Sequence, residues 1–264
     1  MRTHYTWLFM IVVTFVISFW LSLFNPALAF IPDRSYYEKR GDIVWEVPTE
    51  KKWIALTFDD GPDPTYTPEI LDILKEYHAK ATFFVIGKHI LEHPNLVQRE
   101  VMEGHDIENH TFSHIRLQQM TNETFLKDIK MADKTIDQFQ PYRVKLFRPP
   151  GGALNLNEDI IEALKENHME IVLWSWHQDT NDWKRPGASR IAQHVIKNAH
   201  NGDIVILHDA GGDRSQTVNA LKQILPELEK QGYQFVTVSN LLRTCPKYQF
   251  LFQQENPLSP APSK

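Results

Sequence analysis

Thr57-Phe58-Asp59-Asp60-Gly61-Pro62 sets two adjacent carboxylates where an apolar run stops at a Gly-Pro turn. Neighbouring strand residues point to opposite faces, so both acids can serve one pocket only where the backbone begins to turn. Asp-Asp-Gly-Pro is also ordinary turn chemistry, and the pair points to a site only in company. His110-Thr111-Phe112-Ser113-His114 supplies that company. Imidazoles four residues apart share one face of a helical turn and can hold one metal ion. Two His and one Asp leave coordination positions open. That pattern suits a catalytic Zn²⁺ or similar divalent ion better than a structural site, which more often closes with four protein ligands.

Three further segments carry polar residues with few structural excuses. Arg148-Pro149-Pro150-Gly151-Gly152 puts a cation before two prolines, which a regular central strand does not tolerate, so it marks a rigid loop. Asp179-Thr180-Asn181-Asp182-Trp183 follows an apolar run, and Ile206-Leu207-His208-Asp209 ends another. A histidine at the carboxyl end of an apolar strand is placed for function more than for packing.

In order and spacing these five motifs resemble those of the polysaccharide deacetylases, family four of the carbohydrate esterases, and the resemblance spans roughly residues 50 to 242. It implies a metal-dependent hydrolase that removes acetyl groups from N-acetylated sugars of a polysaccharide, on a distorted (β/α) barrel. Position by position, Asp60, His110 and His114 match the metal ligands, Asp59 the general base and His208 the general acid. Arg148 matches the cation that orients the base. Asp182 matches a carboxylate of the supporting network, with Asp179 the other possibility. Trp183 and Ile206 match apolar walls around the acetyl methyl. The family usually has an aromatic residue where this chain has Gly151 and leucine where it has Ile206. Gly151 therefore leaves one groove wall bare, while its N–H remains available to an oxyanion.

The chemistry is coherent on physical grounds. Amide hydrolysis at neutral pH needs a nucleophile stronger than water and a proton for a poor amine leaving group. A metal lowers the pKa of bound water to about 7 and polarises the carbonyl. Asp59 beside a cation stays ionised, and His208 is protonated near neutrality if carboxylates flank it.

Positioning these groups requires alternating strands and helices. Strand patterns run over Trp53–Phe58, Ala81–Gly87, Asp106–His110, Lys145–Pro150, Glu170–Trp176, Asp203–Asp209 and Gln234–Val238. Helical patterns fall at Pro68–Tyr77, Pro94–Glu103, Glu123–Phe139, Glu158–Asn167, Ala188–Ala199 and Thr217–Gln231. Thr67 and Thr121 are placed to cap helices, and Gly104 and Gly232 to end them. The alternation predicts an α/β fold, a distorted (β/α) barrel with about seven parallel strands in a single domain, with an open doubly wound sheet as the competitor. Both put chemistry at the carboxyl ends of strands.

The chain has 264 residues, 42% hydrophobic and 23% charged, with a formal net charge of -5, which excludes a disordered chain. The acidic balance argues against nucleic acid as a partner. Residues 1–29 read as a signal peptide: a basic start at Arg2, an uncharged apolar stretch Trp7–Phe24, then Asn25-Pro26-Ala27-Leu28-Ala29. An uncleaved N-terminal anchor is the alternative and would be the only membrane contact. Residues 30–50 read as an irregular lead-in, 51–243 as the catalytic domain and 244–264 as a C-terminal tail. The mature chain carries 27 Lys+Arg against 33 Asp+Glu. Cys245 is the sole cysteine, so no intrachain disulfide forms. His78, His93, His168, His194 and His200 read as surface imidazoles, His177 is undecided, and Lys127, Asp128, Lys130, Asp133 and Lys134 read as a solvated helix face.

The expected protein is thus an exported or wall-associated monomer acting on peptidoglycan or chitin-like oligomers, with Zn²⁺, Co²⁺ or Mn²⁺ as cofactor. Its rivals are a non-catalytic glycan-binding wall protein and a metal amidase for a non-sugar amide.

Overall fold

Alternation within single strands sorts the core into two layers. In β2 (Trp53–Asp59), Ile54, Leu56 and Phe58 join an outer cluster with the helices, while Ala55 packs into an inner one. The period of two then turns Thr57 and Asp59 inward as well. In β7 (Ile204–His208), Val205 and Leu207 face out and Ile204 faces in, which carries Ile206 and His208 to the inner side. The pairing register sets Asp59 directly across from His208.

The computed structural model describes residues 34–141, 143, 145–152 and 156–252. The segment 1–29 and the stretch 253–264 of the tail lie outside the described residues. After a helix α1 (Arg34–Arg40), the strands β1 (Ile43–Val44), β3 (Ala81–Val85), β4 (Asp106–Asn109), β5 (Lys145–Phe147), β6 (Met169–Val172) and β8 (Gln234–Phe235) complete one sheet with β2 and β7. All pairings are parallel, in the order β1-β6-β5-β4-β3-β2-β7, with β8 on the first residues of β2. The sheet curls into a half-barrel. Across its gap run irregular contacts: Val47 N–H donates to Gly202 O at 3.0 Å, Ser175 N–H to Ile204 O at 2.9 Å, and a parallel bridge joins Asp179 to Ile206. This is the expected distorted (β/α) barrel, with one strand more than the sequence pattern predicts.

The extra strand, β1, comes from the supposedly irregular lead-in. Two residues are too few for any period to show, yet Ile43, Val44 and Val47 are all buried. The predicted tail differs likewise. A helix α9 (Val238–Arg243), capped by the Thr237 hydroxyl on Asn240 N–H, leads into a 3-10 helix Pro246–Phe252, and Tyr248 is buried in the inner cluster with Leu241 and Leu242. Cys245 packs against the same cluster.

Outside the sheet lie α2 (Tyr66–Glu76), α3 (Gly87–Glu92), α4 (Pro94–Met102), α5 (Asn122–Ile136), α6 (Glu158–Glu166), α7 (Ala188–Lys197) and α8 (Ser215–Lys230). The stripe Val218, Leu221, Ile224, Leu225 and Leu228 of α8 is fully turned to the outer cluster, each side chain contributing about 1.5–3 kcal/mol by burial. Thr121 caps α5 as expected, accepting from Thr124 N–H. Thr67 does not cap: α2 starts earlier, Asp63 takes the amides of Thr65 and Tyr66, and the Thr67 hydroxyl donates to Asp209 at 2.5 Å.

Candidate active site

Arg148 is a fully buried side chain, and every bond it makes is directional. Its Nη1 donates to Asp59 Oδ1 and to Thr57 Oγ1, both at 2.7 Å. Nε donates to Val172 O at 3.1 Å and Nη2 to Leu173 O at 2.7 Å. The guanidinium also lies 4.0 Å from the Phe84 ring centre. A buried charge needs such pairing, and here the pairing fixes the Asp59 carboxylate at the mouth of β2.

One residue on, the chain turns. Asp60 takes a left-handed φ of 79° and so presents its carboxylate on the same side as Asp59. Its Oδ1 lies 3.5 Å from His110 Nε2 and 3.1 Å from His114 Nε2. Burial pushes the Asp60 carboxyl up, but the bonds from the two imidazoles outweigh it and hold the group well below the carboxylate range. His110 Nδ1 sits 2.7 Å from Arg148 O. A carbonyl only accepts, so the ring keeps a proton on Nδ1, and it is the form without a proton on Nε2 that offers a lone pair to an ion in place of the bond to Asp60. Donors bound to a tetrahedral ion at about 2.0–2.1 Å stand about 3.4 Å apart. The Asp60–His separations bracket that figure, and the three groups fit a divalent ion.

The two histidines do not share a helical turn, as their spacing predicts. After β4 the chain is irregular, with Thr111 at φ 68° and His114 at φ 57°. Side chains hold the loop. Asp128 on α5 accepts from Phe112 N–H at 2.8 Å, Ser113 N–H at 3.1 Å and the Ser113 hydroxyl at 2.7 Å, and Asn109 Oδ1 accepts from Thr111 N–H. Asp128 and Asp133 are therefore not a solvated face, for Asp133 pairs with Arg143 and Lys145. An acid among lysines on a helix gives no sequence signal of the loop it will hold. His89, too, was not singled out by the sequence; its Nδ1 lies 2.8 Å from Asp60 O.

Across the pocket His208 Nδ1 meets Asp182 Oδ1 at 2.7 Å, while Asp182 Oδ2 accepts from His208 N–H at 2.9 Å and from the Thr217 hydroxyl at 2.7 Å. Burial alone would lower the imidazole. The Asp182 carboxylate, with Asp59 and Asp60 beyond it, raises it to about 9. Asp179 instead accepts from Asn181 N–H within its own turn, so Asp182 is the carboxylate that reaches His208.

Of the remaining predicted residues, Ile206 is buried on the inner face and Trp183 is half exposed beside His208's partner Asp182. Gly151 does not leave a bare wall: a Cβ there would lie 3.3 Å from Arg116 Nε, so an arginine occupies the space. Gly61 is required for another reason. A Cβ on it would fall 2.1 Å from Asp209 Oδ2, and burial raises that carboxyl to about 7.

Known proteins carry the same arrangement of chain. Residues 46–172 match the polysaccharide deacetylase family model. A peptidoglycan-N-acetylglucosamine deacetylase of Bacillus cereus is 52% identical over 80% of this chain and 97% of its own. A chitooligosaccharide deacetylase of Rhizobium leguminosarum is 37% identical over 74% of this chain and 96% of its own. A crystal structure of a peptidoglycan N-acetylglucosamine deacetylase in complex with 4-naphthalen-1-yl-N-oxidanyl-benzamide superposes with a TM-score of 0.72 at 35% identity, over 78% of this chain and 94% of the other. The chain belongs to the polysaccharide deacetylases, family four of the carbohydrate esterases.

Proposed function

We propose that the protein is an exported hydrolase that removes N-acetyl groups from N-acetylglucosamine units of peptidoglycan, using Asp59 as base, His208 as acid and a divalent ion, Zn²⁺ by preference, on Asp60, His110 and His114. The observation that carries this reading is the pairing of two opposed proton-transfer groups, Asp59 with Arg148 and His208 with Asp182, on facing positions of β2 and β7. The 52% identity to a peptidoglycan deacetylase, against 37% to a chitooligosaccharide deacetylase, favours the wall polymer. Export rests on residues 1–29, with 51–243 as the catalytic domain.

Asp60, His110 and His114 would hold a divalent ion, and the ion would supply Lewis acidity, which lowers the pKa of water and polarises a carbonyl. Asp59, aimed by Arg148, accepts the proton of the attacking water. The oxygen of that water bonds to the acetyl carbon. His208, charged at neutral pH because Asp182 lies on Nδ1, has Nε2–H to give to the amine as the C–N bond breaks. Acetate and a free glucosamine amine result. Ile206 and Trp183 supply apolar surface for the methyl group, and Gly151 N–H is available to the oxyanion.

The solved structure of a family pseudoenzyme from Bacillus anthracis, 27% identical to this chain with a TM-score of 0.67, gives the non-catalytic reading a precedent. Asp59 and His208 and their partners are all present here, which favours turnover. The test is acetate release by the purified protein from peptidoglycan and chitin oligomers, with the metal stripped and then restored as Zn²⁺, Co²⁺ or Mn²⁺. Release from peptidoglycan that a chelator abolishes is expected; no release with any metal on any acetylated glycan would overturn the proposal.

A further inference from the structure

The opposite end of β7 gathers a second set of ligand atoms. Asp203 precedes the strand, His200 lies three residues before it, and His177 sits in the 3-10 turn Trp176–Gln178. His177 Nε2 is 2.9 Å from Asp203 Oδ1 and 3.2 Å from His200 Nδ1, and His200 Nδ1 is 4.0 Å from Asp203 Oδ2. We infer that His177, His200 and Asp203 form a second divalent-metal site, separate from the active site and selective for an imidazole-seeking ion such as Zn²⁺.

Spacing is the first argument. Asp203 Oδ1 and His200 Nδ1 stand 2.9 and 3.2 Å from His177 Nε2, close to the roughly 3.4 Å expected between donors on one tetrahedral ion, and one donor atom from each of the three residues lies within 4.8 Å of the other two. Second, the carboxylate is held in place. Asp203 is buried, and its Oδ2 accepts from Gln178 Nε2 at 2.9 Å and from His200 N–H at 2.8 Å, the kind of outer support that orients a ligand. Third, the protons conflict. Asp203 Oδ1 calls for a proton on His177 Nε2, and Asn198 O, 2.8 Å from His200 Nδ1, calls for one there too. Two N–H groups would then face each other across 3.2 Å. An ion that takes both nitrogen lone pairs removes the conflict, with the exposed His200 ring swinging off Asn198. Imidazole and carboxylate together suit Zn²⁺, Cu²⁺ or Ni²⁺, and disfavour Mg²⁺ and Ca²⁺.

Bound there, an ion would clamp the turn that carries the exposed Trp176 to the residue that precedes β7. Asp203 and His208 stand five residue steps apart along the extended strand, about 16 Å, so an ion held at the amino end touches none of the reacting groups. Acetate release should therefore be indifferent to this site.

The experiment is a Zn²⁺ titration of the tag-free, metal-stripped full chain by calorimetry, with bound metal counted after dialysis in low-micromolar Zn²⁺. Wild type should hold two equivalents. His200→Ala, at an exposed position, and His177→Ala should each hold one with unchanged acetate release, and His110→Ala should hold one with release lost. A single equivalent in wild type would overturn the inference, as would two equivalents surviving in both His177→Ala and His200→Ala. A protein that binds two equivalents yet releases no acetate would sink the proposed reaction and leave this site standing.

Discussion

Strand β7 has a histidine–aspartate cluster at each end, and the two are built from the same parts. Two imidazoles and one carboxylate stand at similar separations in both. Their surroundings differ. At the amino end, Asp203 accepts from Gln178, the His200 amide and His177, and among the described residues neither a second carboxylate nor a buried cation stands with these partners. At the carboxyl end, the described partners of the Asp60 carboxylate are the two histidines, and Asp59 and His208 stand within the same pocket, each locked by a buried partner. Holding an ion needs only a cluster. Hydrolysis needs proton donors and acceptors aimed beside it, and the loops after parallel strands are where such groups converge.

The largest effect that would test this contrast is on the base. Asp59→Asn keeps the shape and removes the proton acceptor, so acetate release should fall about 10²- to 10⁴-fold while Zn²⁺ stoichiometry stays the same. Steady-state assays beside metal counting would check it. Residual activity near wild type would mean that Asp59 is only a structural partner of Arg148, and the distinction between the two ends would lose its basis.

Arg148→Met comes next. It leaves Asp59, Thr57 and the carbonyls of Val172 and Leu173 without their buried donor. Breaking a buried pair costs about 3–5 kcal/mol, read as a loss of denaturant midpoint. Gln178→Ala at the amino end removes one neutral donor from Asp203 and should cost about 1–3 kcal/mol. Equal losses would show that the carboxyl end is no more tightly organised than the other.

How far the sequence discloses these two ends follows from the same contrast. Asp59-Asp60-Gly61-Pro62 and His110 to His114 stand out because charged and imidazole groups interrupt apolar runs at strand ends, and β2 through β8 lie within β-branched and aromatic runs that can be placed. Hidden were the groups whose partners are distant in sequence. Asp128 reads as one charge among many on α5, and only the fold brings it to the loop of Phe112 and Ser113. His200 and His177 look like stray imidazoles until the irregular contacts across the gap of the sheet set the start of β7 beside the turn after β6. β1 and the buried Tyr248 were missed because two residues, or one aromatic in a proline-flanked stretch, carry no period. Gly151 misled in the other direction, since the space beside its Cα is taken by Arg116, thirty-five residues away.

The remaining effect concerns charge rather than geometry, and separates His208 from a histidine buried without a carboxylate. In His105, burial, followed by Lys80 and Arg99, lowers the imidazole to about 4. In His208, burial acts in the same sense, but Asp182 at 2.7 Å overturns it and the value rises from 6.5 to about 9. A folded value above the unfolded one stabilises the protein fully below about pH 6.5, and that stabilisation is lost as the pH climbs through 9. Asp182 is shifted the opposite way: burial would raise it, but bonds from His208 and Thr217 keep it below the ordinary carboxylate value, so its share is lost only in acid. In chelator-treated protein, the stability gap between wild type and Asp182→Asn should therefore be widest near pH 5–6 and narrow by up to about 3 kcal/mol toward pH 9.5. Thermal unfolding of both proteins across that range measures it. A gap that does not change with pH would mean that Asp182 holds His208 by shape alone, and that the acid in the reaction owes its proton to something other than this pair.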